Sequence, residues 1–312
     1  MRLPQRSFIL AALTALAMGV FPGVSGAGEL DDVLADARTS TYSASRLVVS
    51  LWGGQTQVSR QFVEHADDME IVRTDSSWSM TGYGKAVSMG DEPSGIAFLS
   101  HQPNVLASRY TVVERGAVRH MSRPGRVVDI MEGDVLRASL LIDKRSGALL
   151  IQDLFSSDGS LYRRTTLTDF RAYRTYQAPM DPTEVSAEIV MPEHAYLLPV
   201  NVAGYARAGT FAAPGGSEHG YYTDGLFRFS LFILDGNTVV TGLEEPMAFV
   251  VESGVYQMVP TAQAVRIHWS NGSNTFVLVG DLPPDHLANV LNELPSPATP
   301  NIIARWLKRF FG

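Results

Sequence analysis

Histidine, arginine, and acid or hydroxyl groups at the right spacing are the residues with which this chain could do chemistry. Its seven histidines are His65, His101, His120, His194, His219, His268 and His286. Zinc or copper chemistry would need two of them on one face of a helix or strand, and no pair has that spacing. Ser217, Glu218 and His219 bring a hydroxyl, a carboxylate and an imidazole together. Acyl transfer, however, needs these groups to converge in space from separate segments, so three neighbours are expected to form a solvated loop. There is no His-Glu-x-x-His helix, no glycine loop ending in lysine, no nucleophile elbow and no cysteine. The expectation is a binding protein, with no catalytic residue, no metal and no cofactor.

Two groups of residues could recognise a partner. Arg115, Arg119, Arg123 and Arg126, with the pair Arg163 and Arg164, stand out in an acidic chain. Planar guanidinium forks suit phosphates and carboxylates, so a lipid headgroup or an acidic segment is one reading, and ordinary solvent-facing strand residues are the other. Near the end of the chain, Ile302, Ile303, Trp306, Leu307, Phe310 and Phe311 fall within one half of a helical wheel at about 100° per residue. Arg305, Lys308 and Arg309 occupy the other half. Such a segment lies on a membrane surface through residues such as Trp306, Lys308 and Phe310, or in a groove of a partner, or docked on the protein itself. A helix this short is marginal alone in water and needs a surface to lie on.

The elements that must position these residues follow from the wider pattern. Arg2 and Arg6, the apolar run Phe8 to Val20 and the small residues Ser25, Gly26 and Ala27 read as a secretory leader over residues 1–27. The run is thirteen residues long, short of the about 20 that span a bilayer. The expectation is therefore an exported, periplasmic chain. The absence of cysteine also leaves no disulfide framework and no site for a lipoprotein anchor. Without Arg2 and Arg6 the formal charge moves from −7 to −9, which argues against nucleic acid as a partner.

About 285 residues remain after the leader, enough for two units. Residues 28–175 open with a short amphipathic helix, Glu29 to Arg38. Strand-like runs follow, with Leu47, Val49 and Leu51 alternating against Arg46, Val48 and Ser50. Turn signals such as Arg123-Pro124-Gly125 separate these runs. From Val135 to Phe170 the pattern predicts a three-strand meander with turns at 143–147 and 156–160. Residues 176–193, rich in proline and acids, read as a linker. Residues 194–294 form a smaller α+β unit. Its strands are predicted at Tyr222 to Ile233, Phe249 to Met258, Ala264 to Trp269 and Thr275 to Gly280, before a helix opened by Pro283 and Pro284. Residues 295–312 are a proline spacer and the amphipathic end.

Two stretches resemble a known family. Tyr222-Thr223-Asp224-Gly225-Leu226 is similar to the Tyr-Ser-Asp-Gly-Leu strand of the C-terminal domain in RseB/MucB regulators. Val279-Gly280-Asp281-Leu282-Pro283-Pro284 resembles that domain's closing Val-Gly-Glu-Leu-Pro-Pro step. The meander, with Leu141-Ile142-Asp143 and Asp153-Leu154-Phe155, is similar to the family's LolA-like half-barrel, a likeness shared with lipoprotein carriers. The resemblance implies an α+β protein, with a curved antiparallel half-barrel and helix followed by a smaller α+β domain. It also implies a function: binding the extracytoplasmic segment of a single-span anti-sigma factor, shielding it from proteolysis, and releasing it in response to lipopolysaccharide or mislocalised lipoprotein.

On that reading Tyr222, Asp224, Phe227 and Phe229 are candidates for partner binding. Phe227 and Phe229 are equally readable as core. Leu47, Val49, Leu51, Phe62, Arg163 and Arg164 are candidates for lipid binding. A carrier of lipid or lipoprotein of the LolA type is the alternative, and an unpaired sheet edge would favour a homo-oligomer.

Overall fold

The alternation around Leu47 builds a strand with two different faces. β2 (Tyr42–Trp52) buries Ala44, Val48, Ser50 and Trp52 on one side and turns Leu47, Val49 and Leu51 to the other. A tight turn at Gly53 and Gly54 returns the chain as β3 (Gln55–Ala66), in a register that pairs Trp52 with Gln55 and Tyr42 with His65. The computed structural model describes residues 24–25, 35, 37, 39–66, 69–74, 78–82, 85–89, 109–173, 197–213, 217–236, 240 and 246–298.

Nine further strands complete a first sheet: β1 (Val24–Ser25), β4 (Met69–Arg73), β5 (Trp78–Gly82), β6 (Lys85–Met89), β7 (Thr111–His120), β8 (Arg123–Glu132), β9 (Val135–Asp143), β10 (Leu149–Phe155) and β11 (Leu161–Ala172). Their order is β1-β7-β8-β9-β10-β11-β2-β3-β4-β5-β6, all antiparallel and open at both ends. The meander from Val135 is present as β9, β10 and β11.

A second sheet follows, with β12 (Asn201–Val202), β13 (Tyr205–Ala213), β14 (Ser217–Thr223), β15 (Arg228–Asp235), β16 (Met247–Val251), β17 (Gly254–Pro260), β18 (Val265–Ser270) and β19 (Asn274–Gly280). Its order is β12-β13-β14-β15-β19-β18-β17-β16. The helix Pro284–Glu293 lies after β19, with proline in its first turn and Leu287, Val290 and Leu291 buried. One apolar cluster joins the two sheets: Trp52, Tyr110, Ile130, Leu140 and Leu154 of the first with Phe227, Phe229, Met258, Ile267, Leu278 and Leu287 of the second unit.

Four expectations change. Tyr222 to Ile233 is two strands, broken by a turn at Asp224–Phe227, because the Asp224 carboxylate accepts the Leu226 and Phe227 amides and Gly225 takes φ 96. Phe249 to Met258 is likewise a hairpin, turning between Val251 and Gly254. The turn placed at Arg123-Pro124-Gly125 falls instead at Met121 and Ser122. Both are left-handed, as two-residue hairpins require, and Pro124 sits inside β8 opposite Arg119. Ser217, Glu218 and His219 start β14 rather than a solvated loop, and His219 stacks on Phe232 at 4.1 Å.

Ala35, Ala37 and Thr39 are helical, and most of the predicted helix Glu29 to Arg38 lies outside the described residues. The same holds for most of the leader, for the linker at 176–193 and for the amphipathic end. Among the described residues no helix is long and apolar enough to cross a membrane.

Candidate functional site

The most elaborate polar structure lies where the two sheets meet. The turn between β14 and β15 points Asp224 toward the first sheet. Asp224 is 2 % exposed, its Oδ2 accepts from the Tyr110 hydroxyl at 2.6 Å, and Arg109 Nη1 lies 3.4 Å away. Burial pushes this carboxyl above its usual range, although the Tyr110 hydroxyl, the Phe227 amide and Arg109 oppose the shift.

His286, near the start of the helix, reaches the same place. The tautomer with hydrogen on Nε2 donates to Glu132 Oε2 at 3.0 Å and accepts from the Tyr205 hydroxyl at Nδ1, 2.7 Å away. Glu132 also receives Arg109 Nε at 2.5 Å and Arg137 Nε at 2.7 Å. Burial alone would raise the Glu132 carboxyl, but the bonds from His286 and Arg109 outweigh it and hold it well below the carboxylate range. Arg137 makes a two-pronged bond to Asp285 at 3.2 and 2.8 Å, and Arg163 forms an ion pair with Asp281. Arg137 and Arg163 belong to the first sheet, Asp281 and Asp285 to the second unit.

Both sequence stretches singled out above therefore form this junction. Asp224 and Phe227 supply one side; Asp281, Asp285 and His286, at and just beyond the Pro-Pro step, supply the other. Gly280 is needed because β15 passes so close: a Cβ there would lie 2.6 Å from Phe229 Cβ and 3.0 Å from the Arg228 carbonyl.

Tyr222, Asp224, Phe227 and Phe229, the candidates for partner binding, are all buried. Tyr222 stacks on Phe229 at 4.8 Å and donates to the Pro199 carbonyl. Phe227 meets Tyr110 and His286 edge-on, and Phe229 meets Tyr205. The alternative already open for the two phenylalanines, a core role, is the one their positions match.

Leu47, Val49, Leu51 and Phe62 share one face of the first sheet with Val58. Leu47 is 37 %, Leu51 41 %, Phe62 41 % and Val58 60 % exposed, an apolar patch on a strand pair interrupted by Arg60, which lies opposite Leu47. Arg164 stands on this face opposite Val49 and is bonded to Asp153 at 2.6 and 2.5 Å. Arg163, the residue before it on β11, points to the other face, is 3 % exposed and belongs to the junction. Of the remaining arginines, Arg115 bonds Asp129, and Arg123 bonds Asp143 through two nitrogens. Trp306, Lys308 and Phe310 lie outside the described residues.

Sequence reasoning missed Arg109, Tyr110, Glu132, Arg137, Tyr205, Asp281, Asp285 and His286 as a group. Arg109 and His286 are 177 positions apart, and no spacing rule links them. The lone usable signal was that Asp281, Asp285 and His286 flank the Pro-Pro step.

No family model matches the sequence, and no curated protein matches it. Among solved structures, the Pseudomonas aeruginosa MucA/MucB complex is similar with 19 % identity and a TM-score of 0.50, covering 88 % of this chain and 99 % of that one. MucB in complex with MucA(peri) is 21 % identical over the same shares, with a TM-score of 0.46. A LolA superfamily protein from Nitrosomonas europaea, 7 % identical with a TM-score of 0.19, covers 84 % of this chain and 96 % of that one. The chain has the fold of MucB: two open antiparallel sheets, with a helix closing the second unit.

Proposed function

We propose that this protein is a non-enzymatic, periplasmic regulator that binds the extracytoplasmic segment of a membrane-spanning anti-sigma factor. The observation that carries the reading is the fold, shared over 99 % of a MucB chain solved together with MucA. The motif stretches support it further, since both lie at the junction that holds the two sheets as one binding body. In this reading the bound segment is shielded from proteolysis while the junction is closed. Lipid or mislocalised lipoprotein releases it by occupying the apolar face of Leu47, Val49, Leu51 and Phe62. The two domains are residues 28–175 and 194–294.

The test is a pull-down of the tagged protein from its native membranes, with and without added lipid, followed by mass spectrometry of proteins and lipids. A single-span anti-sigma protein that lipid displaces supports the regulator. Lipid or lipoprotein alone overturns it in favour of a carrier. The exposed apolar face of β2 and β3 is the observation that keeps that second reading in play.

A further inference from the structure

The second sheet carries an apolar cleft away from the junction. Its volume is about 90 Å³, and its walls include Leu197, Pro199, Ile233, Phe276, Leu294 and Pro295. That is well below the roughly 300–1,000 Å³ of small-molecule clefts. It takes one large side chain rather than a cofactor. Leu197, at its edge, is 56 % exposed.

The chain itself leads to this cleft. Pro295 lines it, and the Pro295 carbonyl accepts from Trp269 Nε1 at 2.7 Å. Three residues later the Ala298 amide donates to the Ser270 carbonyl at 2.8 Å, beside Asn271, which lines the same cleft. Ile302 and Ile303 follow four and five residues on. Four extended residues span up to about 13 Å, so the first apolar residues of the amphipathic end come within reach of the cleft without any rearrangement of the sheet.

Charge fits as well. Glu218 lies opposite Ile233 and Asp235 opposite Asn274 in the strand register, which puts both acids on the face of the sheet that holds the cleft. The Leu197 amide donates to Glu218 Oε2 at 3.1 Å, fixing that carboxylate at the cleft's edge. An apolar cleft with acids at its margin matches an apolar stripe flanked by Arg305, Lys308 and Arg309.

We propose that this cleft is the seat of the chain's own C-terminal segment, residues 301–311. It docks in cis with one of Ile302, Ile303 and Trp306 in the cleft, the others against its edge, and its basic residues toward Glu218 and Asp235. The segment is then a latch on the second sheet rather than a membrane tether. This inference does not rest on the anti-sigma reading.

The chain has no cysteine, so a pair of introduced thiols reports on the docking directly. Leu197→Cys is made in the full chain with Ile303→Cys, and separately with Trp306→Cys. Val118→Cys, also at an exposed position but on the first sheet, replaces the Leu197 change in the controls. Under mild oxidation, a Leu197 pair should close into a monomeric disulfide at least about tenfold faster than the Val118 pairs, because docking raises the effective concentration of the thiols. Glu218→Lys with Asp235→Lys should slow that closure at low salt. Melting curves by circular dichroism establish that each variant is folded. Equal rates for the Leu197 and Val118 pairs overturn the proposal. So does flotation of the chain with phosphatidylglycerol vesicles in which no Leu197 pair closes, which assigns the segment to the membrane.

Discussion

Replacing Asp224 by alanine removes one carboxylate that serves two structures at once. Within its own turn, Oδ1 accepts the Leu226 and Phe227 amides at 3.1 and 2.8 Å. Across the junction, Oδ2 takes the Tyr110 hydroxyl and lies near Arg109. Each turn bond contributes about 0.5–1.5 kcal/mol, and a buried Tyr110 hydroxyl left without an acceptor costs about 1–3 kcal/mol. The desolvation of Asp224 itself, visible in its raised pKa, offsets part of this. The expected loss is about 3–5 kcal/mol, the range for breaking a buried charged pair by removing one member.

Asp224→Asn keeps an acceptor for the turn and should lose about half as much. Tyr110→Phe keeps the turn and loses the cross-sheet bond, so the double-mutant cycle between positions 110 and 224 isolates the junction, with an expected coupling of about 0.5–3 kcal/mol. The assay is urea unfolding followed by tryptophan fluorescence and far-ultraviolet circular dichroism, whose transitions must coincide for the energies to be read. A loss below about 1 kcal/mol for Asp224→Ala, or zero coupling to Tyr110, would refute the view that this residue ties the two sheets together.

Further outcomes follow from other places in the fold. Gly280→Ala forces a methyl against Phe229 Cβ and the Arg228 carbonyl and should cost about 1–3 kcal/mol, read from the same urea titration; an unchanged midpoint would mean that β15 gives way freely. Burial pushes the His219 imidazole down to about 4, so the unfolded chain takes up a proton that the native state refuses. Stability is then full above about pH 6.5 and falls as pH drops toward 4, and His219→Phe should flatten that part of the pH–stability curve. Below it, Glu132, Asp143 and Asp285 add to acid unfolding. Burial raises each, but the bonds from His286 and Arg109, from Arg123, and from Arg137 outweigh it and hold their pKa values low. Their stabilisation is present above the unfolded carboxyl pKa of about 4 and is lost as pH falls, while Asp224, shifted upward, works in the opposite sense. Glu132→Gln should reduce the steepness of the acid transition. On the exposed face, Leu51→Ser with Phe62→Ser should lower retention of a fluorescent fatty acid at least about tenfold while each shifts stability by less than about 0.5 kcal/mol; undiminished retention would remove that face from the lipid reading.

Patterning alone reveals most strands, because an open antiparallel sheet with unequal faces leaves period-two alternation in each strand. The meander from Val135 and the helix after Pro283 are legible for that reason, the latter through its prolines. Two hairpins hid inside apparent single strands. At 224–227 the Asp-Gly turn signal lies inside a run whose apolar alternation continues on both sides. At 252–253, Glu252 and Ser253 carry no strong turn chemistry. The turn at Met121 and Ser122 had no legible signal either, since left-handed residues other than glycine or asparagine are dictated by the strands they join.

The amino-acid sequence by itself determined the two-part organisation, the face shared by Leu47, Val49, Leu51 and Phe62, and the two stretches that resemble the RseB/MucB family. Only the tertiary structure decided what those stretches do. Buried polar groups must find partners wherever the chain brings them. Asp224, Glu132 and His286 do so across separations of up to 177 residues, a distance over which sequence carries no register. Arg163 and Arg164 make the same point at the shortest range: adjacent in sequence, they fall on opposite faces of β11, so one locks the junction and the other borders the exposed face.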